Sequence, residues 1–403
     1  MCGIVGTVGH SPATPLLLDG LQRLEYRGYD SAGFAVLQDG SLVRVRRAGK
    51  VRDLRTAVDL SVLHATLGIG HTRWATHGAP SEENAHPQSD CLDQIAVVHN
   101  GILENHEALR DELVRRGHRF RSETDTEVLA HLVEEQFDGD LLEAVRQVVL
   151  RAEGAFALAV ISVRCPDRIV AARRGSPLVV GRASGGSFLA SDVPALLGHV
   201  DAVSFLEDDD LVEITTDSVR IVRLDGSETR RALHRVASAQ TAIEKGGHKH
   251  FMLKEIHEQD RTLGETIHDA ASSDGLCARV QAADLRPYDH VYFVSCGTAH
   301  HASLIAEYLW ESYLGVPTQA IVASEFRMRS THLTPRSLVI AVSQSGETMD
   351  TLMALRKAKQ AKAQTIALVN HEMSTIAREA DQALFTRAGV EVGVAATKTF
   401  TAQ

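Results

Sequence analysis

The hydrophobic rhythm of the chain changes once, near residue 240, and that change limits the folds open to it. Up to about residue 225 the apolar runs are short. Ile95-Ala96-Val97-Val98, Leu158-Ala159-Val160-Ile161-Ser162-Val163 and Leu178-Val179-Val180-Gly181 are divided by polar and glycine turns such as Gly185-Gly186 and Asp225-Gly226. Helical patterns enter at 104–117 and 125–137, the second with Asp125 behind Thr124 as a helix start. Strand clusters with a few helices predict an α+β domain built on antiparallel sheets. Beyond residue 250, Val291-Tyr292-Phe293-Val294-Ser295, Leu338-Val339-Ile340-Ala341-Val342-Ser343 and Thr365-Ile366-Ala367-Leu368-Val369 alternate with helical stretches at about 299–313 and 348–361. That is the pattern of a parallel sheet covered on both faces, an α/β domain. The polar stretch 238–250, with its Gly246-Gly247 pair, reads as a linker. The expected division is therefore 1–237, linker 238–250, and 251–403, two domains for 403 residues.

Composition narrows the function classes. Hydrophobic residues at 44% and charged residues at 23% are ordinary for a folded chain. An excess of 52 acidic over 42 basic residues argues against a nucleic-acid-coating surface. No apolar run approaches the roughly 20 residues that cross a bilayer. Met1-Cys2-Gly3-Ile4-Val5-Gly6 lacks the basic segment and apolar core of a signal peptide, so the cytoplasm is expected. Cysteines at 2, 91, 165, 277 and 296 form neither a disulfide framework nor a CxxC pair. HExxH is absent, His248-Lys249-His250 reads as solvated linker, and neither a metal nor a cofactor is expected.

Cys2 is the first chemical candidate. Removal of an initiator methionine would leave its thiol beside a free α-amine, which titrates near about 8 and is partly neutral at pH 7. The nucleophile then carries its own base, the logic of terminal-nucleophile catalysis. Arg73 can fork onto a carboxylate and Asp125 can hold an ammonium, which together would grip the backbone end of an amino acid. Asn100 and the Gly101 N–H can form an oxyanion hole. Each has an ordinary alternative: Arg73 in a surface ion pair, Asn100-Gly101 as a hairpin turn, Trp74 in the core.

Met1-Cys2-Gly3-Ile4-Val5-Gly6, Leu24-Glu25-Tyr26-Arg27-Gly28-Tyr29-Asp30-Ser31-Ala32-Gly33 and His71-Thr72-Arg73-Trp74-Ala75-Thr76-His77-Gly78 together resemble class II glutamine amidotransferases, and among them the glutamine–fructose-6-phosphate aminotransferases. The resemblance implies an N-terminal-nucleophile αββα fold. It implies that Cys2 attacks the glutamine amide, that Asn100 and Gly101 stabilise the oxyanion, and that Arg73, Thr76, His77 and Asp125 hold glutamine. Trp74 would gate passage between the glutaminase and acceptor sites.

In the second domain, Ser295-Cys296-Gly297-Thr298-Ala299 and Ser343-Gln344-Ser345-Gly346-Glu347-Thr348 each follow an apolar strand and open a helix. Hydroxyls and N–H groups at such a junction make an anion site, in the crevice where α/β sheets bind ligands. This pattern resembles the sugar isomerase (SIS) domain. By that resemblance Ser343, Gln344, Ser345 and Thr348 hold the phosphate of fructose 6-phosphate, Cys296, Gly297 and Thr298 line the sugar, and Val394 contacts it. Ala299 and Ala396 stand where the family commonly has serine; each lost hydroxyl costs about 0.5–1.5 kcal/mol of binding.

The implied reaction is glutamine-dependent amination and isomerisation of fructose 6-phosphate to glucosamine 6-phosphate and glutamate. The partners are those small molecules, with no nucleic acid and no membrane, in a homodimer where the full isomerase domain is present. The family continues past Gln403 into a second SIS subdomain, so the chain is expected to be incomplete. Two alternatives follow: a glutaminase alone, or a sugar-phosphate-binding regulatory module.

Overall fold

The computed structural model describes residues 2–236, 246–271, 288–329, 332–393 and 395–403. The chain separates into two compact units, Met1–Gln240 and Thr241–Gln403. Most of the expected linker, and the boundary itself, lie outside the described residues.

The first unit holds two antiparallel sheets. One runs in the order Leu233–Arg235, Ala202–Phe205, Val179–Ala183, Gly186–Ala190, Gly3–Gly9, Leu67–Arg73, Ser31–Gln38, Ser41–Ala48. The other runs Glu228–Thr229, Val219–Arg223, Asp210–Thr215, Cys165–Arg174, Phe156–Ser162, Ile95–Gly101, Gln88–Ser89. Successive side chains of a strand point to opposite faces, so the inner strands, covered on both faces, are apolar on both sides. Ala96, Val98, Ala157, Ala159 and Ile161 face the first sheet's Ile4, Ile69 and Leu189. Their neighbours Ile95, Val97, Phe156, Leu158 and Val160 face Val128, Leu132, Val145 and Val148 on the helices Asp125–Gln136 and Leu141–Arg151. The outer face of the first sheet is covered by the helix Ala13–Leu24 through Leu17, Leu18, Leu21 and Leu24, all fully buried. At about 1.5–3 kcal/mol for each large apolar side chain removed from water, this stripe fastens the helix. The result is helix, sheet, sheet, helix: the αββα sandwich.

Two strand ends position the chemistry. Gly3–Gly9 is an inner strand and pairs Gly3 with Thr72, which sets Cys2 beside the end of Leu67–Arg73. A Cβ at Gly3 would lie 2.7 Å from Thr72 Oγ1 and 2.8 Å from Leu24 Cβ, so a larger residue would separate the strands there. Ile95–Gly101 ends at Asn100-Gly101 on the other sheet.

The second unit is a five-stranded sheet in the order Thr318–Val322, His290–Ser295, Ser337–Ser343, Gln364–Val369, Gln382–Phe385, with every pair parallel. Both faces are buried: Tyr292 and Val294 on one side, Val291 and Phe293 on the other. The strand order reverses between His290–Ser295 and Ser337–Ser343, a topological switch point where such sheets bind ligands. The helices Gly297–Leu314 and Met349–Gln360 fall on the predicted stretches. Ala13–Leu24, Leu141–Arg151, Phe251–His257 and Gln259–Ala271 are helices that the sequence pattern does not announce. No helix among the described residues is long and apolar enough to cross a membrane.

Candidate active site

Cys2 is half-buried at the mouth of the first unit. The Trp74 N–H donates to its Sγ at 3.3 Å, and Sγ lies 3.6 Å from the Trp74 carbonyl oxygen. Burial pushes the thiol pKa up; the Trp74 bond and the positive charges of Arg73 and Arg27 pull it back down. A thiol with those cations nearby gains most when a base takes its proton as it attacks.

Asn100 stands next to it. Its Nδ2 donates to the Cys2 carbonyl at 3.2 Å, while Oδ1 lies 3.0 Å from His71 Nε2. With the amide oriented so, His71 must carry its proton on Nε2. His71 is fully buried, and burial lowers its pKa to about 3, so it is the neutral imidazole that fixes the amide. Asn100-Gly101 is the end of a strand and not a hairpin turn. Gly101 has φ +112°, and a Cβ there would run into the Ala155 carbonyl oxygen. Only glycine fits.

Arg73 is buried, with 3% of its surface exposed, which removes the surface-ion-pair reading. Its Nη2 donates to the carbonyls of His77 and, at 3.2 Å, Gly78. Nη1 is buried without a partner, a donor left for a ligand. The loop it braces is anchored from beneath. Asp30 Oδ2 accepts from the Ala75 N–H at 2.9 Å, and Gly28 lies so close that a Cβ would be 2.7 Å from the Arg73 carbonyl carbon. Asp125, buried at the first turn of its helix, accepts from the Leu103 N–H at 2.9 Å through Oδ2. Thr76 is exposed and His77 half-buried, its ring 4.7 Å from that of His106. Trp74 is 37% exposed and meets Tyr29 edge-on at 5.3 Å, so it is not core.

Behind Cys2, Arg27 and Tyr26 converge on Asp192. Arg27 Nη1 lies 2.9 Å from Asp192 Oδ2, and the Tyr26 hydroxyl donates to the same oxygen at 2.6 Å. His71, Arg27 and Asp30 stand within the sequence motifs, yet sequence reasoning gives them no role. Their one signal is a charged or polar residue flanked by apolar and glycine positions.

In the second unit, Cys296, Gly297, Thr298, Ala299, Ser343, Gln344, Ser345, Thr348, Glu391, Gly393 and Ala396 line one cavity of about 220 Å³. Ser343 Oγ accepts from the Gly346 N–H at 3.0 Å and lies 3.1 Å from Thr348 Oγ1. Ser345 Oγ accepts from the Glu347 N–H at 3.2 Å. The turn depends on Gly346, at φ +64°, where a Cβ would strike Ser374 Oγ. Cys296 and Thr348 flank the first residues of Gly297–Leu314 and Met349–Gln360, so two helix N-termini face the cavity region. Burial raises the Cys296 thiol on the cavity wall, whose Sγ lies 3.9 Å from Thr351 Oγ1. Glu391, missed by sequence reasoning, is buried and accepts from the Thr397 N–H at 2.9 Å, tying the last wall of the cavity together. Val394 lies outside the described residues.

Comparison with known proteins gives family matches in both units. A glutamine amidotransferase domain family matches residues 71–198, and the SIS domain family matches residues 284–403. A glutamine–fructose-6-phosphate aminotransferase (isomerizing) of Aquifex aeolicus is 47% identical over 403 residues, covering 100% of this chain and 67% of that protein. One of Thermus thermophilus is 50% identical over 406 residues, with the same coverages of 100% and 67%. The chain thus spans about two thirds of the length of these relatives. A solved structure of the allosteric regulatory enzyme of purine biosynthesis superposes with TM-score 0.50 at 18% identity, covering 95% of this chain and 89% of that one, a likeness of fold alone.

Proposed function

The chain belongs to the glutamine–fructose-6-phosphate aminotransferase (isomerizing) family, and from that premise we propose that it transfers the amide nitrogen of glutamine to fructose 6-phosphate, giving glucosamine 6-phosphate and glutamate. The observation that carries the glutaminase half is the convergence of Cys2, Asn100 and Arg73 at two adjoining strand ends.

The thiol of Cys2 attacks the glutamine amide carbon, its proton passing to the α-amine directly or through water. The oxyanion that forms is met by Asn100 Nδ2 and the Gly101 N–H. Collapse of this intermediate breaks the C–N bond, the departing nitrogen takes the proton as ammonia, and a thioester remains. Water then hydrolyses the thioester to glutamate and restores the thiol. Arg73 Nη1 takes the substrate carboxylate and Asp125 its ammonium, with Thr76 and His77 beside them. Trp74 serves as the gate over the thiol. The hydroxyls and N–H groups of residues 343–348 take the sugar phosphate, and Cys296, Gly297, Thr298 and Val394 border the sugar. A thiol-reducing cytoplasm suits a reaction that needs Cys2 free, and a homodimer completes the reading.

The test supplies glutamine and fructose 6-phosphate together and quantifies both products. Glutamate release that falls to background in Cys2→Ala, with glucosamine 6-phosphate formed only when both substrates are present, is expected. Glutamate release that persists in Cys2→Ala would overturn the nucleophile, and fructose 6-phosphate binding unchanged in Ser345→Ala would overturn the phosphate site.

A further inference from the structure

Away from Cys2, four potential ligands from three separate stretches meet at a point. They are Cys91 Sγ in the turn after Gln88–Ser89, His118 Nδ1 in the loop after His106–Arg115, and His131 Nδ1 and Glu134 Oε2 on Asp125–Gln136. The last two are spaced i, i+3 and so share one helix face.

The spacings approach those of a metal polyhedron, the two to sulfur within its range and the other three slightly shorter. Cys91 Sγ is 3.6 Å from each imidazole nitrogen, the two Nδ1 atoms are 3.2 Å apart, and Glu134 Oε2 is 3.1 Å from His118 Nδ1 and 3.2 Å from His131 Nδ1. A tetrahedron with Zn–N of about 2.0–2.1 Å and Zn–S of about 2.3 Å has edges of about 3.3–3.7 Å. Hydrogen bonds do not account for the cluster. Five short contacts join four atoms that can carry at most one proton each, so at least one contact has no hydrogen of its own. His118 has an outer carboxylate partner of the kind metal-bound histidines use, and a second carboxylate stands near His131. His118 Nε2 lies 3.3 Å from Glu135 Oε1, and His131 Nε2 lies 3.8 Å from Glu127 Oε1. Glu127 is itself held by the N–H groups of Arg121 at 2.7 Å and Ser122 at 2.6 Å. His131 is fully buried, whereas Cys91 and Glu134 are partly exposed, which leaves a way in.

We propose that Cys91, His118, His131 and Glu134 form a four-coordinate site for a divalent transition metal of zinc type. Thiolate, two imidazoles and one carboxylate are a borderline-soft set that favours zinc over magnesium or calcium. Four protein ligands leave no open position, so the role is structural. Binding releases the thiol proton and clamps the 88–94 turn and the 116–121 loop to the helix whose first residue is Asp125. The site stands independently of the reaction at Cys2.

The test uses the full chain as Cys2→Ala, so that the nucleophile cannot hold the ion. Protein stripped with a chelator is titrated with zinc against a chromophoric competitor, then with cobalt. One tight equivalent is expected, with thiolate-to-cobalt charge-transfer absorption and a rise in Tm on adding zinc. In Cys91→Ala, which removes only a partly exposed thiol, and in His131→Ala, affinity should fall at least about 100-fold and the sulfur band should vanish from the first. Absence of a tight equivalent in the parent would overturn the proposal, as would one that survives both substitutions. Circular dichroism of Cys91→Ala separates lost metal from lost fold.

Discussion

His71 is argued to act on the reaction only through Asn100, and that claim can be measured. The His71 Nε2–H donates to Asn100 Oδ1 at 3.0 Å, which leaves Nδ2 facing the Cys2 backbone, where the oxyanion would form. Removing one oxyanion-hole donor costs about 10²–10³ in kcat, or about 2.7–4 kcal/mol, and this is the loss expected for Asn100→Ala. Removing His71 takes away one neutral hydrogen bond of about 0.5–1.5 kcal/mol and strands a buried amide oxygen. His71→Ala should therefore lower the kcat for glutamate release by about 10-fold and change the KM for glutamine little. His71→Gln, which restores an N–H donor, should recover part of the loss. The decisive arm is the double variant. In an Asn100→Ala background the His71 substitution should lower kcat by no more than about a further 2-fold. A full 10-fold loss there would mean that His71 acts directly on the substrate or the thiol and not by positioning Asn100.

Other consequences can be tested separately. Stability should depend on acid. Burial lowers His71 to about 3 and also depresses His86 and His99, so the unfolded chain binds protons that the folded chain does not. This stability is fully present above about pH 6.5 and falls as pH drops toward 3, by about 1.4 kcal/mol per pH unit for each histidine still neutral in the fold; denaturant midpoints equal at pH 7.5 and 5.5 would contradict it. Gly101→Ala should lower Tm and abolish glutamate release, because the new methyl meets the Ala155 carbonyl at φ +112°; a variant with parental Tm and activity would show that the strand end yields. Ser345→Ala removes a hydroxyl from the phosphate turn, so fructose 6-phosphate affinity by calorimetry should drop about 10-fold or more while glutamate release is spared. Arg73→Lys keeps the charge but not the fork, so the KM for glutamine should rise far more than kcat falls; equal effects on both would count against a carboxylate-binding role.

The two fold classes were legible because both domains bury their strands on two faces. In the first unit the sandwiching layers make residues 95–98 and 156–161 apolar on both sides, and in the second the covering helices do the same for residues 291–294. The helix Ala13–Leu24 was hidden by Pro15 and Gly20. Packing decides its case: a Cβ at Gly20 would lie 2.9 Å from Val5 Cγ1, so the glycine allows close approach to the sheet. Phe251–His257 is too short for a helical period to show, and its fixing contact is distant: Glu255 is buried and accepts from the Val392 N–H at 2.6 Å, a partner 137 positions away. Motif residues with their own chemistry, such as Cys2, Arg73 and Asn100, could be named from order alone. Supporting residues such as His71 and Asp30 could not, because their roles exist only once distant strands pair. The Cys91, His118, His131 and Glu134 cluster was illegible for the same reason.

The reaction proposed for the first unit depends on Cys2 being the nucleophile of a glutaminase. The most direct measurement is rapid acid quench of the enzyme turning over glutamine, followed by peptide mapping of the acyl adduct. A glutamyl thioester is expected on Cys2, absent from Cys2→Ala together with glutamate release. An adduct on Cys91, Cys165, Cys277 or Cys296, or release that continues without Cys2, would contradict it.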